Sequence, residues 1–168
     1  MEVVLNATLA GGVSIGSSSD LVVTPGIALL IGVVAGGLSA IGFLKIGPFL
    51  REKCGLYDTC GVHNLHGMPG VLGALIGAFS AGYANMVFPE GSPELLNTFS
   101  ALSDNKRTIV MQGYMQFAAL CVTLFISITS GLLSGYIASR FAPVEEVFVD
   151  HIAWDELEYD LGDGHYIL

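Results

Sequence analysis

Two histidines, His63 and His66, stand near the start of an apolar run that continues to Tyr83. Ionisable side chains are costly in a bilayer core and usually line a pathway or a pocket. Burial favours the neutral imidazole, which offers one donor and one acceptor nitrogen. Such a ring can hold a small polar neutral molecule, or take and return a proton near physiological pH. A hydrophilic cation crossing an apolar constriction loses its water, at a cost of several kcal/mol or more. A weak acid that sheds its proton and crosses as the neutral base avoids that cost.

The residues around the histidines belong to the same chemistry. Spaced three apart, His63 and His66 are expected to share a helix face. Asp58 stands where an N-cap is expected and suits the positive end of a helix. Pro69 interrupts the backbone ladder, and such breaks in membrane helices are best tolerated beside cavities. Gly67, Gly70, Gly73 and Gly77 form a narrow stripe of small residues. Together they describe a narrow pore lining. Two other readings of the histidines stay open: hydrogen bonding to neighbouring helices, and a zinc site built with Cys54 and Cys60. Against zinc, the sequence has no Cys-x-x-Cys pair.

The elements that must position these residues are membrane spans. Hydrophobic residues make up 52% of the 168 and charged residues 12%, about half the charged share of a soluble domain. Mean hydropathy is +0.67. A span needs about 20 mostly apolar residues. Four candidate helices follow, at about 3–17, 26–44, 61–83 and 109–139, within a transmembrane region 1–140. The first is short and polar in places. The last exceeds an apolar core of about 30 Å at ~1.5 Å per residue and must tilt or protrude. Residues 45–57 and 85–107 read as the polar connections. The Gly-x-x-x-Gly pairs Gly12/Gly16, Gly32/Gly36, Gly73/Gly77 and Gly131/Gly135 predict close helix packing. The expected fold is therefore an all-α membrane bundle.

Charge orients the bundle. Lys45, Arg51, Lys53 and Arg140 fall on one side and Lys106 and Arg107 on the other, which makes the first side cytosolic. Eight of the fifteen acidic residues follow Arg140, so residues 141–168 read as an acidic cytosolic tail. Val144, Val147, Phe148, Ile152 and Leu157 approximate a helical stripe there, suited to a cytosolic partner. The net charge of −9 and the lack of a basic patch argue against nucleic acid. The three cysteines do not form an even set for a disulfide framework. The first residues lack the basic region of a signal peptide. Asn6-Ala7-Thr8 matches a glycosylation sequon, but its place in an apolar segment favours an unmodified Asn6 facing other helices.

Three ordered motifs carry a resemblance. Asp58-Thr59-Cys60-Gly61-Val62-His63-Asn64-Leu65-His66-Gly67-Met68-Pro69-Gly70 closely resembles the signature of Rh glycoproteins, the Rh branch of the ammonium transporter superfamily. Asn6-Ala7-Thr8-Leu9-Ala10-Gly11-Gly12-Val13 looks like a glycine-rich helix of that family. Ala35-Gly36-Gly37-Leu38-Ser39-Ala40-Ile41-Gly42-Phe43, with Pro48-Phe49-Leu50, resembles the helix and loop between them. The similarity is strong over residues 3–83 and weak in the last helix.

The resemblance implies a multi-pass, trimeric, plasma-membrane channel for ammonia or ammonium, not an enzyme, with no cofactor and no metal. The subunits of the trimer would be Rh proteins, alike or mixed, with one pore each in the lipid bilayer. Each pore would be lined by two facing histidines. It maps the second of these onto His66, with His63 and Asn6 as further candidates. Asp58, Gly67, Pro69, Gly70, Gly73 and Gly77 would shape the lining. Family members have eleven or twelve spans, so these four correspond to the C-terminal portion of the bundle. The first pore histidine and the aromatic gates have no counterpart here, and His151 and His165 lie in the tail. A competing expectation is a non-transporting scaffold or truncated subunit that packs with full-length relatives.

Overall fold

A computed structural model describes residues 2–21, 24–87, 93–104 and 106–141. The acidic tail and its helical stripe lie outside the described residues. The described chain is helical, and no strand occurs among the described residues. Three stretches are long and apolar enough to cross a membrane: Pro25–Cys54, His63–Tyr83 and Ile109–Ala138. Helix α1, Glu2–Gly16, is a shorter apolar helix of 15 residues. The chain divides into two units, 1–124 and 125–168.

In the first unit, α1 lies between α2 (Pro25–Ile41) and α4 (Met68–Val87). Small residues make both contacts. Gly11 meets Gly32 and Gly36 meets Ala7, so α1 and α2 run antiparallel; a Cβ built on Gly36 would stand 3.2 Å from the Ala7 carbonyl oxygen. On the other side, Gly73 faces Ser14 and Gly77 faces Ser17, a parallel arrangement. The buried Ser14 hydroxyl donates to the Pro69 carbonyl at 2.9 Å. Two of the four Gly-x-x-x-Gly pairs thus form helix contacts. A Cβ at Gly12, Gly16, Gly131 or Gly135 would point into open space. Backbone proximity, not spacing alone, decides which small pair matters.

The expected connection at 45–57 needs correction. The second helix does not stop near residue 44: helical structure continues through Pro48 to Cys54. A proline inside an α-helix withholds the N–H that its i−4 carbonyl requires. Here a π turn, Gly42–Ile46, precedes it, and the Gly47 N–H bonds back to the Gly42 carbonyl. Helix α3, Gly47–Cys54, then runs on with Pro48 in its first turn, where a missing N–H costs little. It ends at Gly55 in the left-handed conformation, φ +63°, with the N–H groups of Gly55 and Leu56 reaching the Leu50 carbonyl.

Residues 93–103 fold over one end of the unit as α5 (Pro93–Thr98) and α6 (Ser100–Ser103). Leu95 and Leu102 pack there with Leu21, Ala81 and Ile109. Thr98 donates to the Asp20 carboxylate at 3.1 Å. Helix α7, Ile109–Ala138, approaches α4 where Gly113 meets Gly82. In the second unit, the rest of α7 turns its polar side chains inward on itself: the Thr129 hydroxyl donates to the Phe125 carbonyl at 2.7 Å. Large apolar side chains stay uncovered, Leu29 and Val33 both at 73% exposure and Leu132 at 71%. Apolar surface on this scale fits lipid or further helices.

A Cβ at Gly73 would stand 2.6 Å from the Ser14 carbonyl oxygen, and backbone cannot swing aside. Gly73→Leu is expected to lower thermal stability in detergent by about 1–3 kcal/mol, the usual overpacking cost. Gly70→Ala, into open space, should leave the unfolding temperature near that of the parent.

Candidate pore site at the second π turn

The site begins with a cap. The first N–H groups of a helix lack intrahelical partners and carry partial positive charge. Asp58 supplies both carboxylate oxygens: Oδ1 accepts from the Val62 N–H at 2.8 Å and Oδ2 from the His63 N–H at 2.9 Å. The Gly61 N–H bonds to the Asp58 carbonyl at 3.1 Å. Gly61 adopts φ +65°, a conformation strained for residues with a Cβ. The Phe43 ring fills the space that its side chain would need, 2.5 Å from a Cβ built there.

Both histidines then fall on a π turn, His63–Gly67, whose closing bond runs from the Met68 N–H to the His63 carbonyl. Pro69 follows one residue later. The expected interruption by Pro69 takes this form: the wider turn comes just before the proline and the helix continues beyond it. A turn closed from i to i+5 holds more residues than an α-helical turn. Residues three apart therefore stand further round the axis than in an α-helical turn. His63 is half-buried and His66 exposed. His63 lies along Gly67, four residues on, where a built Cβ would be 3.6 Å from its Cδ2. Its Nδ1 stands 3.3 Å from Asn64 Oδ1.

Asn64 was not among the expected site residues. It is 4% exposed and its amide sits against the first π turn. A Cβ at Gly42 would lie 2.7 Å from Asn64 Oδ1 and overlap Met68 Cε; one at Gly47 would lie 3.2 Å from Asn64 Nδ2. A sequence signal existed. Gly42 and Gly47 are five apart with Pro48 next, and His63 and Met68 are five apart with Pro69 next. Each spacing matches one i→i+5 bond followed by a proline.

Two cavities flank the site. A pocket of about 230 Å³ at its mouth is lined by Phe43, Arg51, Tyr57, Asp58, Thr59 and Asn64, among others. A cleft of about 370 Å³ runs between α4 and the first half of α7, with Gly67, Gly70 and Gly77 on one wall and Gln116 and Thr123 on the other. Gly73 is turned away into the α1 contact, so the four-glycine stripe divides between two jobs. Asn6 is half-buried on α1, next to the Ala7 contact with α2. Among the described residues no hydrogen bond joins Asn6 to either histidine. Cys54, Cys60 and Cys121 are exposed free thiols, and no three His, Cys, Asp or Glu residues come together among the described residues.

Residues 1–159 match the Ammonium Transporter Family. The chain belongs to that family. Similar proteins include the ammonium transporter Rh type B of Xenopus tropicalis, 41% identical over 167 residues, covering 95% of this chain and 35% of the relative. The Rh type C transporter of Oncorhynchus mykiss is 38% identical over 158 residues, 89% of this chain and 31% of the relative. The Rh type B transporter of Oryzias latipes is 44% identical over 133 residues, 79% and 28%. The chain spans about a third of the length of these curated relatives. With its long apolar helices, it is a membrane protein.

Asp58→Ala removes two charge-assisted bonds from the start of the histidine helix. It should cost about 1–2 kcal/mol, as other lost caps do. Hydrogen exchange at the Val62 and His63 amides should accelerate while exchange in the middle of α1 stays unchanged.

Proposed function

We propose that this chain forms part of an Rh-type channel conducting ammonia or ammonium across the membrane. The observation that carries the reading is His63 itself. Its backbone is held by Asp58, its ring nitrogen meets Asn64, and a glycine lies beside the ring. An imidazole held this way in an apolar helix can exchange hydrogen bonds with a small neutral solute. Ammonium would lose its proton to water at the vestibule, and ammonia would pass along neutral imidazoles. That route avoids carrying a bare charge across the apolar region. The pocket beside Asp58, Thr59 and Asn64 suits a vestibule.

His66, which the family resemblance assigns to the pore, stays in the proposal as an exposed imidazole on the same turn. His63 is the better positioned of the two. Gly67, Pro69 and Gly70 shape the wall, Gly73 and Gly77 seat the helix, and Asp58 starts it. A trimer of such subunits in the plasma membrane, with the C-terminus cytosolic, completes the reading.

A second reading is a non-transporting subunit that packs with longer relatives. The uncovered apolar side chains of α2 and α7, which further helices could cover, are compatible with it. Its tail would bind a cytosolic partner. Co-purification with a longer subunit, with flux measured in the presence and absence of this chain, separates the readings.

In full-length subunits carrying this segment, His63→Ala is expected to lower methylammonium uptake about tenfold or more at matched surface expression, since a hydrogen bond lost from a desolvated site costs about 1–3 kcal/mol. His66→Ala should lower it less. Uptake unchanged in both variants and in the double variant would remove the imidazoles from the mechanism.

A further inference from the structure

We propose that Gly42 is a positioning residue for His63, because the notch left by its missing side chain seats Asn64 and Met68, one and five residues beyond the histidine; this rests on the reading of His63 as a pore imidazole. The histidine turn has few restraints of its own. Its closing bond runs from the Met68 N–H to the His63 carbonyl, and the next residue, Pro69, has no N–H to offer the Asn64 carbonyl. Kinks in helices concentrate at prolines and π turns. The two ends are tied from outside: Asp58 accepts from the His63 N–H at 2.9 Å, and the Ser14 hydroxyl donates to the Pro69 carbonyl at 2.9 Å. Between those ties, side-chain packing against the first π turn supplies the restraint.

Holes and knobs alternate across the contact. A Cβ built on Gly42 would lie 2.7 Å from Asn64 Oδ1 and 3.0 Å from its Cγ, and would overlap Met68 Cε. One built on Gly47 would also press on the Asn64 amide, at 3.2 Å. In the other direction, the Phe43 ring occupies the place of a side chain at Gly61, 2.5 Å from a built Cβ. The gripped residues, Gly61, Asn64 and Met68, lie on both sides of His63 in the chain. Met68 acts twice: its N–H closes the turn on the His63 carbonyl while its methyl group enters the notch. Asn64, at 4% exposure, has no open side to move to. A methyl added at Gly42 must therefore push on both residues and shift the turn that carries His63. Close-packed interiors transmit such strain. The push is one of volume, the same whichever end of the Asn64 amide meets Gly42.

The test is a double-mutant cycle in full-length subunits that carry this segment, read in two ways. One is methylammonium uptake at matched surface expression. The other is the ¹³C and ¹⁵N ring shifts of His63 in bilayers, assigned by difference from His63→Gln. Gly42→Ala is expected to move the ring shifts and to lower maximal uptake about tenfold with little change in the half-saturating concentration, since a small misplacement of a working group can cost up to about a hundredfold. Met68→Ala, which empties the notch, should move the shifts and lower uptake less. The double variant, in which Asn64 can yield into the space that Met68 leaves, should lie closer to the parent than Gly42→Ala in both readings, the non-additivity of residues in contact. Parental ring shifts in Gly42→Ala overturn the positioning role whatever the uptake, and so do losses that simply multiply in the double variant. If Gly42→Ala fails to reach the surface, Met68→Ala decides, and parental ring shifts there overturn the role as well. Ring shifts that follow Gly42 while His63→Ala leaves uptake intact overturn the transport reading alone.

Discussion

Within lipid there is no water to satisfy a backbone carbonyl, so each one deprived of its helical donor must find another. Pro48 and Pro69 create that deficit in two neighbouring helices. Both helices carry the same feature just before the proline. One extra residue is looped into the turn before the proline, and the hydrogen bonds shift from i→i+4 to i→i+5 across it. The rest of the site hangs on this substitution. Gly42 and Asn64 meet where the two wider turns face each other, and both helices continue beyond their prolines. A Pro69 carbonyl also lies within reach of the Ser14 hydroxyl, which joins α1 to the same place.

Close approach of backbones does the remaining positioning. Where α1 meets α2 and α4, the contacts fall on Ala7, Gly11, Ser14, Gly32, Gly36 and Gly73. In a lipid setting there is little hydrophobic gain in bringing apolar helices together, so packing at short range and hydrogen bonds such as that of Ser14 must supply the attraction. The large apolar side chains point the other way. This arrangement, with small residues at the contacts, brings the backbone of α1 close to both neighbours.

Much of this was readable from residue types. The helical spans, the motif around the two histidines and the family likeness rest on apolar length and on an ordered string of residues, both local properties of the chain. The exact reach of the second helix was not. Pro48 and three cations between residues 45 and 53 look like a connection when read alone, and only the π turn before the proline lets the helix pass through them. The spacing of His63 and His66 likewise reads as α-helical in the sequence, whereas both lie on the wider turn. Asn64 went unnoticed because its importance lies in Gly42 and Gly47, some twenty residues away. The two unused Gly-x-x-x-Gly pairs carry a similar lesson: spacing marks a surface on which a helix can pack, and a contact needs a partner as well.

A π turn is an α-helix with one residue too many. Removing a single residue from 42–46 would leave an ordinary α-helical turn, because an i→i+5 bond closes one turn as an i→i+4 bond does. The helix beyond would keep its facing, and the change would fall on the turn itself, where Gly42 and Gly47 meet the Asn64 amide. The same holds for 63–67, where the lost residue would come from the stretch that carries both histidines. Each turn therefore carries one residue more than the course of its helix requires.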